Sequence, residues 1–204
     1  MENRDPTAPT AIVLAAGQAT RMGAFKQLLS LSSSTLIEQV VDQLLGHLQR
    51  VVVVVGFRGE EVVAVLGDRP VQWVCNPDFR AGMVTSVQCG IRNAGPAPAH
   101  LICLGDQPVL AGVLEPLLGA ARLSPQGILI PTYGGKRGHP LYIRNTYTQQ
   151  ILALPPEQGL NTLTRAHAAD TREVLVAEPG ALEDLDTPAD YERALKRYPR
   201  TEHG

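Results

Sequence analysis

The stretch Ala11-Ile12-Val13-Leu14-Ala15-Ala16-Gly17-Gln18-Ala19-Thr20-Arg21-Met22-Gly23-Ala24-Phe25-Lys26 is the part of the sequence from which the fold is best predicted. Its opening run, Ala11–Leu14, is apolar and typical of a buried strand. Two glycines follow, with small residues between them, and then Arg21 and Lys26 add two cations. Glycine lets the main chain approach a ligand closely, and free N–H groups and cations bind negative charge. The stretch therefore predicts a polyphosphate site.

Two common phosphate-binding fingerprints are absent from this stretch. The P-loop needs Gly-Lys-Ser/Thr after its spacer, whereas Ala24 follows Gly23. The dinucleotide pattern Gly-x-Gly-x-x-Gly also fails, because Ala19 stands two residues after Gly17. The spacing alone leaves open a surface turn that carries two incidental cations.

Composition indicates one ordinary soluble domain, over 10–198, between a flexible N-terminal tail, 1–9, and a flexible C-terminal tail, 199–204. The 204 residues are 44% hydrophobic, with a formal net charge of -2. Without a basic bias we expect no nucleic-acid partner, and without a run of about 20 apolar residues we expect no membrane span. Three widely spaced cysteines in apolar segments predict reduced core thiols and a cytoplasmic location: Cys75, Cys89 and Cys103.

Apolar runs alternate with helical stripes along the whole chain. Predicted strands are Ala11–Leu14, Val51–Val55, Val71–Cys75, Leu101–Leu104, Ile128–Ile130 and Val174–Ala177. Predicted helices are Thr35–Leu48, Glu60–Leu66, Val84–Arg92, Leu110–Arg122, Ile143–Leu152, Leu160–His167 and Ala189–Tyr198, the first opening on a capping box of Thr35 and Glu38. This alternation predicts an α/β fold, a three-layer α/β/α sandwich with a Rossmann-like, mostly parallel sheet.

Three polar or glycine positions come directly after predicted strands: Gly17, Asn76 and Asp106. Ligands of such folds bind in the crevice outside the carboxyl ends of the strands. We therefore expect these three positions to converge at one edge of the sheet.

Asp106 is the first candidate metal ligand. It lies in Gly105-Asp106-Gln107-Pro108, where the flanking residues force a turn at the end of a strand. Mg²⁺ prefers carboxylate oxygens together with phosphate oxygens and water, so one or two carboxylates suffice. The alternative is an Asp that only stabilises its own turn.

Nucleotide contacts are expected from the loop residues and from two side chains farther along the chain. Leu14, Ala15, Ala16 and Gly17 would offer backbone groups to the base and ribose, and Asn76 and Ser86 could face the nucleotide. A turn Asn before Pro and a Ser inside a helix are the structural alternatives for these two. The loop Tyr133–Pro140 holds Lys136, Arg137 and His139 and is a candidate substrate lip.

Five segments, in order, resemble the molybdenum-cofactor nucleotidyltransferases, and most closely their cytidylyltransferase branch. The superfamily around them includes sugar-phosphate enzymes and shares the nucleotide-diphospho-sugar transferase fold. The segments are Leu14–Lys26 with its Leu-Ala-Ala-Gly and Arg-Met-Gly, Asn76-Pro77 with Gly82-Met83-x-x-Ser86, Leu104–Pro108, Arg137-Gly138-His139-Pro140, and Asp184-Leu185-Asp186-Thr187-Pro188.

The resemblance implies a Mg²⁺-dependent enzyme that transfers CMP from CTP to the phosphate of molybdopterin, releases pyrophosphate and serves a molybdenum hydroxylase. It implies catalytic roles for Lys26, Arg21 and Asp106, and a metal site of Asp106 and Asp186. It implies an acceptor-side role for His139. The implied nucleotide-binding residues are Leu14, Ala15, Ala16, Gly17, Arg21, Gly23, Lys26, Asn76, Gly82 and Ser86. Asp186-Thr187-Pro188 is also a helix N-terminal signal, so a purely structural role for Asp186 stays open.

Departures from the family pattern bear on the substrates. Ala16 and Phe25 stand where the guanylyl branch usually has Gly and Asp, which favours CTP over GTP. Ala19 and Ser30 replace a common Ser and Pro, and the segment 157–161 matches only in part. The open alternatives are GTP or another phosphorylated acceptor, a non-catalytic accessory protein that binds nucleotide or cofactor, and a structural domain with vestigial motifs.

Overall fold

The computed structural model describes residues 8–18, 25–107, 110–177 and 187–197. Within them the strands are β1 (Thr10–Ala15), β2 (Ser30–Leu31), β3 (Ser34–Thr35), β4 (Val51–Val55), β5 (Gln72–Cys75), β6 (Ala99–Leu104), β7 (Ile128–Tyr133), β8 (Lys136–Arg137), β9 (Leu141–Arg144) and β10 (Thr171–Leu175). The α-helices are α1 (Leu36–Leu45), α2 (Gly59–Leu66), α3 (Met83–Asn93), α4 (Ala111–Leu123), α5 (Thr148–Leu152), α6 (Leu160–Ala166) and α7 (Pro188–Arg197).

The central sheet has the strand order β10-β7-β9-β6-β1-β4-β5, with β8 added beside β7. Strand β1 pairs in parallel with β4 and β6, and the β4–β5 and β7–β10 pairs are also parallel. Only β9 and β8 run antiparallel to their neighbours in the described sheet. The prediction of a mostly parallel sheet is confirmed.

Helices cover both faces of the sheet, which confirms the three-layer α/β/α sandwich. All five valines of β4 are buried, as expected for a strand covered on both sides. Alternation along β1 sends Ala11 and Val13 into a core with α1, α2 and α4. Ile12 and Leu14 point to the other core, which α3, α5 and α6 complete.

The first helix begins where the sequence places its cap. Thr35 is the N-cap of α1: its hydroxyl accepts a hydrogen bond from the Glu38 backbone N–H, and the Glu38 carboxylate accepts one from the Thr35 N–H at 2.8 Å. This capping box satisfies two N–H groups that a helix start otherwise leaves without partners. It fixes where the chain turns from the small β2–β3 hairpin into α1.

Two expectations around β9 are wrong. Ile143 was expected to begin a helix, but it lies in β9, fully buried between His100 of β6 and Ile128 of β7, and α5 begins later, at Thr148. The segment Tyr133–Pro140 is also more than a loop. Gly134 and Gly135 both have positive φ and close a two-residue hairpin between β7 and β8, a turn that glycine favours.

The expectation of three core thiols holds only in part. All three cysteines are free, but Cys103 is buried, Cys89 is half-buried and Cys75 is exposed. Cys75 ends β5, which is the edge strand of the sheet, so one side of it faces solvent.

None of the helices that the structure describes is both long enough and apolar enough to cross a membrane. Of the predicted tails, only residues 8 and 9 lie within the described ranges. The domain boundaries at 10 and 198 stay predictions.

Candidate active site

The carboxyl ends of three neighbouring strands meet at one edge of the sheet. Leu14 lies in register with Val54 on one side and with Leu104 on the other. The Gly105 N–H donates to the Leu14 carbonyl at 3.0 Å, and the Phe57 N–H donates to the Ala16 carbonyl at 3.2 Å. The loops after β1, β4 and β6 are therefore bonded to one another at the edge where the sequence predicts a ligand.

The loop after β1 presents its glycine to solvent and packs its alanines inward. Ala15 and Ala16 are buried, and Ala16 Cβ lies against Gly56, where an added Cβ would come within 2.9 Å of it. No heavy atom of the described residues lies within 4 Å of a Cβ placed on Gly17, so its backbone borders space that these residues leave open. Arg21 and Gly23 lie outside the described residues.

Lys26 and Asp106 come together across this edge. Lys26 Nζ lies 3.7 Å from Asp106 Oδ2. The Lys26 side chain is only 7% exposed although it carries a charge, whereas the Asp106 side chain is 24% exposed. A buried ammonium group can neutralise a phosphate that binds beside it. The carboxylate, which water reaches, can bind a metal cation. Two of the three predicted catalytic side chains, Lys26 and Asp106, thus form one charged pair within the described residues.

An aromatic cluster anchors the residue that precedes Lys26. The Phe25 ring is buried and packs edge-on against Phe57, with ring centroids 5.8 Å apart. The Arg58 guanidinium lies 5.1 Å from the Phe25 centroid and forms an ion pair with Glu61. Sequence reasoning missed Phe57 and Arg58, because nothing in the spacing links them to Lys26.

The residues of the second motif form a buried hydrogen-bond network. Asn76 is 3% exposed, and its Nδ2 donates to Thr85 Oγ1 at 2.9 Å and to Ser86 Oγ at 3.0 Å. Its Oδ1 accepts from the Asp78 N–H at 3.0 Å. The amide thus ties the end of β5 to the first turn of α3. Thr85, which the sequence did not single out, is part of this tie.

Gly82 stands where two segments approach each other closely. Its φ of 141° lies in the region that favours glycine, and a Cβ there would come within 2.1 Å of the Pro156 carbonyl oxygen. The turn before α6 therefore packs directly on the start of α3. Glycine at this position lets the turn before α6 reach the second motif.

His139 lies on the wall of a cavity of about 400 Å³, whose described lining includes neither Lys26 nor Asp106. The cavity lies between α3 and α6, over the ends of the central strands. Gly138 and His139 lie along it, together with Met83, which is 61% exposed. Met83 therefore faces the cavity and is not a core packing residue.

The described residues include no group of three or more His, Cys, Asp or Glu side chains that could hold a metal ion. Asp106 still fits Mg²⁺, because this ion accepts one or two carboxylates and completes its shell with substrate phosphates and water. Asp186, the second predicted ligand, lies outside the described residues, as does Asp184.

Comparison with known families agrees with this geometry. The MobA-like NTP transferase domain matches residues 11–171. The chain belongs to this family. It is therefore a nucleotidyltransferase, and the match spans the β1 loop, the Asp106 turn and the His139 segment.

Individual relatives align with nearly the whole length of this chain. The Escherichia coli molybdenum cofactor cytidylyltransferase is 27% identical over 92% of this chain and 95% of its own. A nucleotidyl transferase from Methanothermobacter superposes with a TM-score of 0.82, at 26% identity, over 94% of this chain and 98% of its own. A Mycobacterium tuberculosis protein solved in complex with manganese has a TM-score of 0.75 and 25% identity, over 93% and 98% of the two chains.

Proposed function

We propose that this chain transfers CMP from CTP to the phosphate of a molybdopterin-type acceptor, with release of pyrophosphate and with Mg²⁺ as cofactor. The observation that carries the proposal is the contact of Lys26 with Asp106, 3.7 Å apart beside the β1 loop. The similarity of this chain to the E. coli molybdenum cofactor cytidylyltransferase supports the choice of cytosine as the base and of molybdopterin as the acceptor. The manganese complex of the mycobacterial relative supports a divalent metal.

Transfer of this kind needs charge stabilisation more than a strong base. The acceptor phosphate has a second pKa near 6, so it is largely dianionic at neutral pH. One of its oxygens attacks the α-phosphorus of CTP while the bond to the bridging oxygen of pyrophosphate breaks. Negative charge grows on that leaving oxygen, and preorganised cations stabilise it.

We propose that Lys26 supplies one of these cations. Its ammonium group is buried, so water screens its charge little, and it lies beside the Asp106 carboxylate. The buried Phe25 ring anchors the backbone just before Lys26. Asp106 would hold Mg²⁺, which when bound neutralises phosphate oxygens and orients the triphosphate. Arg21 is proposed to add a second cation.

The nucleotide would lie over the backbone of Ala15–Gly17, which borders open space at Gly17. Asn76 would act by holding Ser86 and the start of α3, since both hydrogens of its amide are already donated. The methyl group of Ala16 packs on Gly56, and the proposed preference for CTP rests on the cytidylyltransferase relative.

The acceptor would occupy the cavity beside His139. This cavity opens between α3 and α6 at the same edge of the sheet as Asp106, and its wall includes Gly138, His139 and Met83. An acceptor lying there would present its phosphate toward the triphosphate. We therefore place the two substrates on opposite sides of the start of α3.

Pyrophosphate release tests the proposal. The full chain would be incubated with CTP, GTP, ATP or UTP, each with and without molybdopterin and Mg²⁺. We expect release from CTP only when acceptor and metal are both present. Equal rates with all four nucleotides would remove the cytidylyl assignment. Tight nucleotide binding without turnover on any acceptor would favour an accessory binding protein.

A further inference from the structure

The cavity beside His139 has an aliphatic floor. Ile102, Ile130 and Leu141 rise from three adjacent strands, and Val84 and Val87 of α3 form one wall. Apolar surfaces of this kind hold flat or apolar ligand bodies, while a few polar groups fix their orientation. The charged groups at the rim therefore decide which acceptor fits.

The rim carries two arginines, and only one of them is paired with an acid among the described residues. Among the described residues that line the cavity there is no Asp or Glu, but there are two arginines, Arg137 and Arg165. Arg137 Nε donates to Glu173 Oε1 at 2.8 Å, so a carboxylate already offsets its charge. The Arg165 side chain has no hydrogen bond or ion pair within the described part of the chain.

The helix that carries Arg165 is fixed in place. Leu163 of α6 is buried in the core on that side of the sheet. Gln88 Nε2 donates to the carbonyls of Ile151 and Leu154 at 3.0 and 2.9 Å, which ties the segment before α6 to α3. A side chain on such a helix meets a ligand from a defined position.

Arg165 and Asn161 are four residues apart on α6 and both line the cavity. Residues at this spacing lie on the same face of a helix. Together they would offer a planar cation and an amide to one ligand group. This is a donor set suited to an anionic group with several oxygens.

We propose that Arg165 determines acceptor specificity by binding an anionic group of the acceptor, whose flat or apolar body lies on the aliphatic floor. The inference rests on the proposed function and adds a substrate class to it: acceptors that carry such a body together with an anionic group placed to reach α6. Phosphorylated acceptors without an apolar or flat body would be poor substrates.

Steady-state kinetics with Arg165→Ala and Arg165→Lys test this role. A charge-assisted hydrogen bond of this kind predicts a rise of about 10- to 100-fold in the acceptor KM for the alanine variant. The KM for CTP and kcat should stay within about twofold, and lysine should recover part of the loss. Arg172→Ala, which removes an exposed arginine of β10, is the matched control and should leave the acceptor KM unchanged. An unchanged acceptor KM in Arg165→Ala would overturn the assignment.

A binding titration separates this inference from the proposed reaction. A fluorescent pterin phosphate is titrated against the full chain without nucleotide, and its anisotropy is followed. Weaker binding by Arg165→Ala than by Arg172→Ala supports the assignment even if no acceptor is ever turned over. Equal binding by the two variants overturns it even if wild type proves to be an active cytidylyltransferase.

Discussion

Lys26 Nζ lies 3.7 Å from Asp106 Oδ2, although one residue follows the first strand of the sheet and the other follows β6. Because β1 and β6 are adjacent and parallel, their carboxyl ends coincide, and the two charged groups meet there. The pair combines a cation suited to phosphate with a carboxylate suited to Mg²⁺. The proposed transfer reaction depends on this relationship.

Replacing Lys26 with Met should lower kcat by about 100-fold or more, because the variant lacks a preorganised cation at the developing charge. The variant keeps the length of the side chain. Lys196→Met, on the exposed surface of α7, is the matched control and should retain wild-type turnover. Pyrophosphate release at saturating CTP measures both. Wild-type kcat in Lys26→Met would show that the lysine has no catalytic role.

Asn76→Ala should lower the free energy of unfolding by about 1–3 kcal/mol, because it leaves buried hydroxyls of Thr85 and Ser86 without their donor. Urea denaturation followed by circular dichroism measures the change. Asn93→Ala is the control, since Asn93 is exposed at the end of α3, the helix that carries Thr85 and Ser86. We expect a loss of less than about 0.5 kcal/mol there. Equal losses in the two variants would contradict the account of the network.

Two glycine-to-alanine substitutions should change the stability of the fold in opposite directions. Gly82→Ala forces a Cβ to within 2.1 Å of the Pro156 carbonyl oxygen and should destabilise the fold and weaken acceptor binding. Gly119→Ala, inside α4, adds a Cβ with no heavy atom of the described residues within 4 Å and should stabilise the fold by about 0.5–1 kcal/mol. Thermal melts of the two variants report the signs. Stabilisation by Gly82→Ala would mean that the close contact with Pro156 is absent in solution.

Stability should fall on mild acidification because of His100. Burial lowers the pKa of this imidazole, whose Nδ1 has no hydrogen-bond partner among the residues that the structure describes. Since its folded-state pKa lies below the unfolded value of about 6.5, the unfolded chain binds the extra proton and gains stability as pH falls through that value. The contribution of neutral His100 is complete above that pH. Melts between pH 5 and 8 should show a shallower slope for His100→Gln than for wild type, and identical slopes would contradict this account.

The sequence predicted the features that depend on local pattern. The β1 loop, the five buried valines of β4 and the Thr35–Glu38 capping box each follow from neighbouring residues alone. The convergence of Gly17 and Asp106 followed from the rule that parallel strands end at one edge. These features needed no knowledge of distant contacts.

The features that the sequence missed depend on contacts between distant segments. Ile143 fits a helical stripe, but it lies in β9 because that strand pairs with both β6 and β7 and fills the space between them. The contact of Gly82 with Pro156 and the Phe57 anchor for Phe25 likewise join separate segments. Gly134-Gly135 was a hairpin signal that the sequence did contain, but the flanking β8 strand is only two residues long.

The most direct test of the central claim is Mg²⁺-dependent pyrophosphate release from CTP and molybdopterin by Asp106→Asn, beside Asp68→Asn as a control on an exposed turn. The account predicts that Asp106→Asn loses at least about 100-fold in kcat while its affinity for CTP changes by less than about tenfold, and that Asp68→Asn matches wild type. Turnover by Asp106→Asn at the wild-type rate would contradict the claim that Asp106 and Lys26 form the catalytic centre.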